Sequence, residues 1–268
     1  MPIPPVDAPV NPLGQWIMTI CVIVALLATA LAALRMSRRL QTWGPAVLLA
    51  GSLLAGFIEP MYCLTMHLWY YRVGQWSLYS SMNVSQPVWS WLSYGAFYGG
   101  LSLLVWWRVE QGATRAAIAR LAGALILVGI VTEILCIKLG TYEYYGPHPF
   151  RVASFPVWIA VANAVIGIVA GIAAARLRRL LPGAQSLAYI ALVPACMTMV
   201  QFGTGFLTLD VINSPNPPTW LLYVSAIVSM GLASTIGFAV LKLVPADPAS
   251  PPASSLQDKR DNPIQSKA

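Results

Sequence analysis

Charge is what this chain has least of. Of its 268 residues 9% are charged and 57% are hydrophobic, whereas an ordinary soluble domain carries about 25% charged residues. A water-facing surface cannot be built from that composition. There are only two histidines and four cysteines. Neither histidine belongs to a His-Glu-x-x-His or Glu-x-x-His arrangement, which excludes zinc-protease and di-iron chemistry. Cys21, Cys63, Cys136 and Cys196 show no Cys-x-x-Cys spacing, all fall in apolar stretches, and are expected to behave as small buried hydrophobes. No Gly-x-Ser-x-Gly, P-loop, dinucleotide fingerprint or aspartate-rich diphosphate motif occurs. The last apolar stretch has no lysine deep within it, only Lys242 at its end, so a retinal Schiff base is excluded. The basic residues are too scattered for nucleic acid despite a net charge of +7.

Long apolar runs fill that space. Seven stretches, each long enough to cross a hydrocarbon core of about 30 Å, lie near residues 16–35, 45–68, 88–107, 117–138, 152–175, 186–208 and 219–242. The expectation is an all-α, polytopic membrane protein of seven transmembrane helices. Residues 1–15 form an extracytoplasmic N-terminal segment, 16–245 the membrane domain and 246–268 a disordered cytoplasmic tail rich in Pro, Ser, Asp and Lys. Glu59-Pro60 interrupts the second stretch, which is expected to be one kinked helix. No internal repeat of 20–50 residues stands out.

Lys and Arg set the orientation. Thirteen of the sixteen fall on one side, from Arg35, Arg38 and Arg39 through Arg108 and Arg176 to the C-terminal tail. Only Arg72, Lys138 and Arg151 fall on the other. This asymmetry predicts an N-terminus outside, a cytoplasmic C-terminus and a location in the cell membrane. Arg35-Met-Ser-Arg38-Arg39 follows the first stretch directly and no basic residue precedes it, the pattern of an uncleaved anchor.

An ionisable group inside a span is costly and by default marks function. Glu59 lies roughly 21 Å from the basic end of its span, at 1.5 Å per residue. Glu133 sits about as deep in the fourth, so the two carboxylates are expected to share a level. Each could instead be structural, hydrogen-bonded to a neighbouring helix for about 0.6–2 kcal/mol. Asn163 and Gln201 reach the same region, and Tyr62, Tyr94 and Trp158 belong to an aromatic excess on the same side. Glu143, His148 and Asp210 are expected to ring a mouth that opens to the outer surface or outer leaflet beneath the 70–86 and 139–151 loops, with His67 at the end of the second span. The opposite halves of the spans are almost purely Ala, Leu, Val, Ile and Gly. Gly167 and Gly171 form a GxxxG helix contact. A mononuclear divalent site drawing on Glu59, His67, Glu133 or Glu143 is the only metal arrangement left open; neither metal nor cofactor is expected.

Thr132-Glu133, Leu139-Gly140-Thr141-Tyr142-Glu143-Tyr144-Tyr145 and Pro156-Val157-Trp158-Ile159 together resemble carotenoid-biosynthesis membrane proteins of the carotenoid hydratase type. The likeness covers about 30 residues. It departs at Ile134–Lys138, where that family carries a glycine-rich run, and in the charged 147–151 loop. More loosely, two acids in a small seven-span bundle are similar to the membrane-integrated terpene cyclases. Glu59-Pro60 has no counterpart in the resembling stretch. The resemblance implies isoprenoid chemistry: cyclisation, hydration or isomerisation.

From the residues themselves, the expectation is intramembrane acid–base catalysis on a lipophilic substrate. A carboxyl in low dielectric can keep its proton near neutral pH, act as a general acid and generate a carbocation that aromatic faces stabilise. Glu59 and Glu133 are the candidate catalytic pair. Asn163, Gln201, Tyr62, Tyr94, Trp158, Glu143, His67 and Asp210 are the candidate substrate-binding groups. A proton-linked transporter or a lipid-binding membrane partner is the alternative. Against transport, no inverted repeat is visible.

Overall fold

The computed structural model describes residues 3–246, so the tail expected beyond 246 lies outside the described residues. The chain is mostly helical. α1 spans Pro12–Leu40, α2 Gly44–Thr65, α4 Arg115–Lys138, α5 Val157–Leu177, α6 Gly183–Asn213 and α7 Thr219–Leu241; these six are long and apolar enough to cross a membrane. Between α2 and α4 lies a further continuous helical run, α3, over 88–110. Its Trp, Tyr, Gly and Ser content makes it less apolar than the others.

The all-α expectation needs correction at one end of the bundle. Six short strands form three antiparallel pairs there: β1 (Leu68–Tyr70) with β4 (Tyr142–Tyr144), β2 (Ser77–Ser81) with β3 (Val84–Pro87), and β5 (Arg151–Val152) with β6 (Phe155–Pro156). The 152–156 segment therefore belongs to a hairpin, and α5 begins at Val157. The other end carries the arginines in the last turns of α1, α3 and α5; the two are the hairpin end and the basic end.

Local chemistry explains several boundaries. Asn11 caps α1, its Oδ1 accepting from the Leu13 and Gly14 amides, and Thr114 caps α4 through the Ala117 amide. α3, α5 and α7 each open directly after a proline, Pro87, Pro156 or Pro218. Proline cannot donate to a preceding turn. In α2, Pro60 cannot bond the Gly56 carbonyl, and the helix tightens to a 3₁₀ turn over Gly56–Ile58 before resuming at Glu59. α3 and α6 each contain a π-helical turn, at Gly95–Gly99 and Thr198–Phe202.

α5 is the central helix, buried along most of its length. A Cβ added to Gly167 would lie 2.8 Å from the Leu101 Cβ, and one on Gly171 would lie 2.6 Å from the Ser102 carbonyl oxygen. The GxxxG pair thus seats α3 against α5. Near the basic end Val105, Ile118, Ile168, Ile172 and Leu241 pack together as a dry core. α1 and α4 lie at the periphery.

The structure also brings out a shared pattern. β1 and β4 pair with Trp69 opposite Glu143 at the centre, so a local twofold relates the two strands. Under it Tyr70 matches Tyr144, and each lies eleven residues after a glutamate, Glu59 or Glu133. Pro87-Val88-Trp89 likewise matches Pro156-Val157-Trp158. Residues 59–89 and 133–158 thus share an eleven-residue step from glutamate to tyrosine and a Pro-Val-Trp helix start.

Candidate active site: a tyrosine-lined carboxylate chamber

A cavity of about 480 Å³ lies inside the bundle, roofed by the β1–β4 pair. That volume suits a small-molecule ligand. Side chains alternate across a strand, so Leu68 and Tyr70 of β1, and Tyr142 and Tyr144 of β4, line the chamber while Trp69 and Glu143 point away. α2 contributes Glu59 and Tyr62, α3 contributes Ser90, Tyr94 and Tyr98, α4 contributes Thr132 and Glu133, and α5 and α6 contribute Asn163 and Gln201. Lys, Arg and His are absent from the lining among the described residues.

Each carboxylate is held by tyrosines. Glu59 Oε1 accepts from the Tyr70 hydroxyl and Oε2 from the Tyr94 hydroxyl, with the Cys63 thiol 3.9 Å from Oε1. Tyr70 is steadied by Ser90 at 2.7 Å, and Ser90 by the Gln86 amide at 3.1 Å. Glu133 Oε2 accepts from both Tyr142 and Tyr144. Those two bonds fall on one oxygen, and no hydrogen bond among the described residues reaches Oε1. The carboxylate groups are joined through aromatic contact: the Tyr70 and Tyr142 rings lie 5.6 Å apart, and Trp89 lies 5.7 Å from the first and 6.0 Å from the second.

Deeper in, the Asn163 carbonyl accepts from Tyr98 at 2.9 Å and from the Gln201 amide at 2.6 Å. Tyr98 and Gln201 both lie in the π-helical turns, a feature frequent at functional sites. Tyr62 stacks on Phe202 at 5.0 Å, and its buried hydroxyl has no protein partner.

Six expected site residues therefore share one chamber: Glu59, Glu133, Asn163, Gln201, Tyr62 and Tyr94. Four do not. Trp158 is buried beside the chamber without lining it, whereas its counterpart Trp89 does line it. Glu143 accepts from Tyr71 at 2.9 Å on the far face of the β1–β4 pair. Asp210 is exposed near the end of α6. His67 is buried beneath the hairpins with its ring 6.1 Å from His148. Beneath the 70–86 and 139–151 loops, β1 and β4 roof the chamber.

Exposed lining residues lie instead on α1 (Ile17, Cys21, Ala25) and α4 (Thr132, Leu135), so the chamber opens sideways between these helices. The exposure of Cys21 departs from the buried role expected of it. α1 and α4 meet at the hairpin end, where a Cβ on Gly14 would lie 2.0 Å from the Leu139 carbonyl and the Asn11 amide bonds the Gly140 carbonyl at 2.9 Å.

Comparison with protein-family models, curated proteins and solved structures returns no match. The chemistry must therefore be argued from the chamber. Tyr70, Tyr142, Tyr144, Trp89 and Tyr98 are the residues that sequence reasoning left among a general aromatic excess. The signal that singles two of them out is the eleven-residue step from each glutamate. Among the described residues no group of three His, Cys, Asp or Glu side chains converges on one point.

Proposed function

We propose that the chain is a seven-crossing membrane enzyme, N-terminus outside, that rearranges or hydrates a lipophilic, isoprenoid-like substrate through a carbocation. One observation carries this reading. Two carboxylates, each held by a pair of tyrosines, share an apolar and aromatic chamber that has no basic side chain in its lining. Such a chamber favours positive charge, through the carboxylates directly and through the ring faces by cation–π attraction.

Glu133 is assigned as general acid, since its Oε1 is left over from the tyrosine bonds. It transfers its proton to an alkene carbon or an epoxide oxygen, and positive charge develops on the adjacent carbon. Glu59, with both oxygens accepting hydrogen bonds, serves as the counter-charge. The cation then loses a proton from a neighbouring carbon to a carboxylate, giving a shifted or cyclised alkene. Alternatively it takes up water, which releases its proton to a carboxylate. Protons balance in either case. Asn163, Gln201 and Tyr98 orient the substrate from below, and it arrives sideways from the bilayer between α1 and α4. The apolar cluster of Val105, Ile118, Ile168, Ile172 and Leu241 near the basic end weighs against a proton-linked transporter.

The test is chemical. Lipids extracted from cells with and without the gene should differ in an isoprenoid species. Glu133→Gln and Glu59→Gln should each abolish the difference while folded protein stays in the membrane; general acid–base catalysis supplies about 10²–10⁴-fold. Turnover near normal in both variants would remove the acid–base assignment. Unchanged lipids with altered proton or solute flux would favour transport.

A further inference from the structure

A second cavity, of about 510 Å³, lies on the outside of the bundle between α1 and α3. Its walls are apolar or small: Ala28, Thr29 and Ala32 on α1, and Gly100 and Leu103 on α3. It starts where Gly100 approaches Thr29, an added Cβ there lying 3.3 Å from the threonine hydroxyl. From there it runs about 16 Å along α1, at 1.5 Å per residue, to Arg35, Arg39 and Trp107 at the basic end. The Arg39 guanidinium sits over the Trp107 ring, 5.4 Å from its centroid.

These two arginines have no acidic partner among the described residues. The single ion pair among the described residues joins Arg178 to Glu110 at 2.9 Å. Glu110 is the acid at the end of α3, and it also accepts from the Trp106 indole at 3.1 Å. No carboxylate lines the groove. An apolar slot that ends in two unmatched guanidiniums complements a molecule with an acyl chain and an anionic head. Basic pockets between membrane helices bind anionic lipid head groups on the same grounds.

We infer that this groove is a binding site for an anionic glycerophospholipid, its acyl chain along Ala28, Ala32 and Leu103 and its phosphate against Arg35 and Arg39. The site is separate from the carboxylate chamber and does not rest on the proposed reaction.

The purified full chain can be titrated in detergent with phosphatidylglycerol, phosphatidylcholine or inorganic phosphate, with bound lipid counted by native mass spectrometry. Phosphatidylglycerol should be retained over phosphatidylcholine, and inorganic phosphate should not displace it. Arg35→Gln and Arg39→Gln should each weaken retention about fivefold, from about 1 kcal/mol per basic residue at a lipid surface. Ala32→Phe, which fills the slot at an exposed position and leaves the charge intact, should weaken it comparably. Arg38→Gln, on the same turn but outside the groove, should change little. Equal retention of both lipids, displacement by phosphate, full retention in Ala32→Phe, or an equal loss in Arg38→Gln would each overturn the site.

Discussion

Tyr142 and Tyr144 both reach Glu133 Oε2, but unequally: Tyr142 bonds closely, while Tyr144 stands at 3.5 Å. A hydrogen bond to a charged group contributes about 1.5–3 kcal/mol, which corresponds to about 10–100-fold in rate. Tyr142→Phe should therefore cost turnover within that range, and Tyr144→Phe less than about fivefold. Equal losses would mean that the tyrosines only shape the chamber. His148 makes a different prediction, one of stability. Its ring is buried, with no side-chain partner for either nitrogen among the described residues. Burial, then the nearby Arg151 guanidinium and His67, push its pKa down to about 3, against about 6.5 in an unfolded chain. The fold holds the neutral ring, so this stability is complete above about pH 6.5 and drains away as pH falls toward 3. Thermal unfolding in detergent should shift downward across that window. His148→Leu, which removes the ring nitrogens, should flatten the decline and cost little at pH 7.

At the scale of elements, helix positions were legible because hydrocarbon-length apolar runs have few alternative readings. α2, α4 and α7 start and stop within two or three residues of the ends expected. The glutamates were legible for the complementary reason, as charges where charge is costly. The hairpin end was not. β1 and β4 have three residues each, too few for an alternating pattern, and they pair across more than seventy positions. The shared glutamate-to-tyrosine step and Pro-Val-Trp helix start were hidden by unequal loops: thirty residues separate Glu59 from Trp89, but twenty-five separate Glu133 from Trp158. Helix contacts were read more successfully, as in the GxxxG pair of α5. Gly171→Ala should force α3 away from α5 and destabilise by about 1–3 kcal/mol, the usual cost of overpacking. Gly231→Ala, whose added Cβ meets nothing within 4 Å, should leave the unfolding temperature level or raise it. Similar behaviour of the two variants in a thermal scan would mean that the α3–α5 contact can slide.

For the whole molecule, the shared pattern gives the arrangement its logic. Residues 59–89 and 133–158 each supply a glutamate, a tyrosine eleven residues later and a Pro-Val-Trp helix start, and the β1–β4 pair brings the two sets to one chamber. Because both glutamates line one cavity, a single determination of sidedness orients both. Among the described residues, ten of thirteen Lys and Arg lie toward the opposite end, which favours a cytoplasmic basic end. In a chain lacking its four native cysteines, Ser81→Cys samples the exposed β2–β3 hairpin and Ala184→Cys the exposed start of α6. An impermeant thiol reagent added to intact cells should label the first and spare the second until the membrane is permeabilised. The reverse pattern would invert the bundle, moving the carboxylates to the cytoplasmic half and Arg35 and Arg39 to the outer leaflet. Labelling of both in intact cells would mean that α3, the least apolar of the helices, does not cross. Hairpin and α6 start would then lie on one side, and the seven-crossing arrangement would fall.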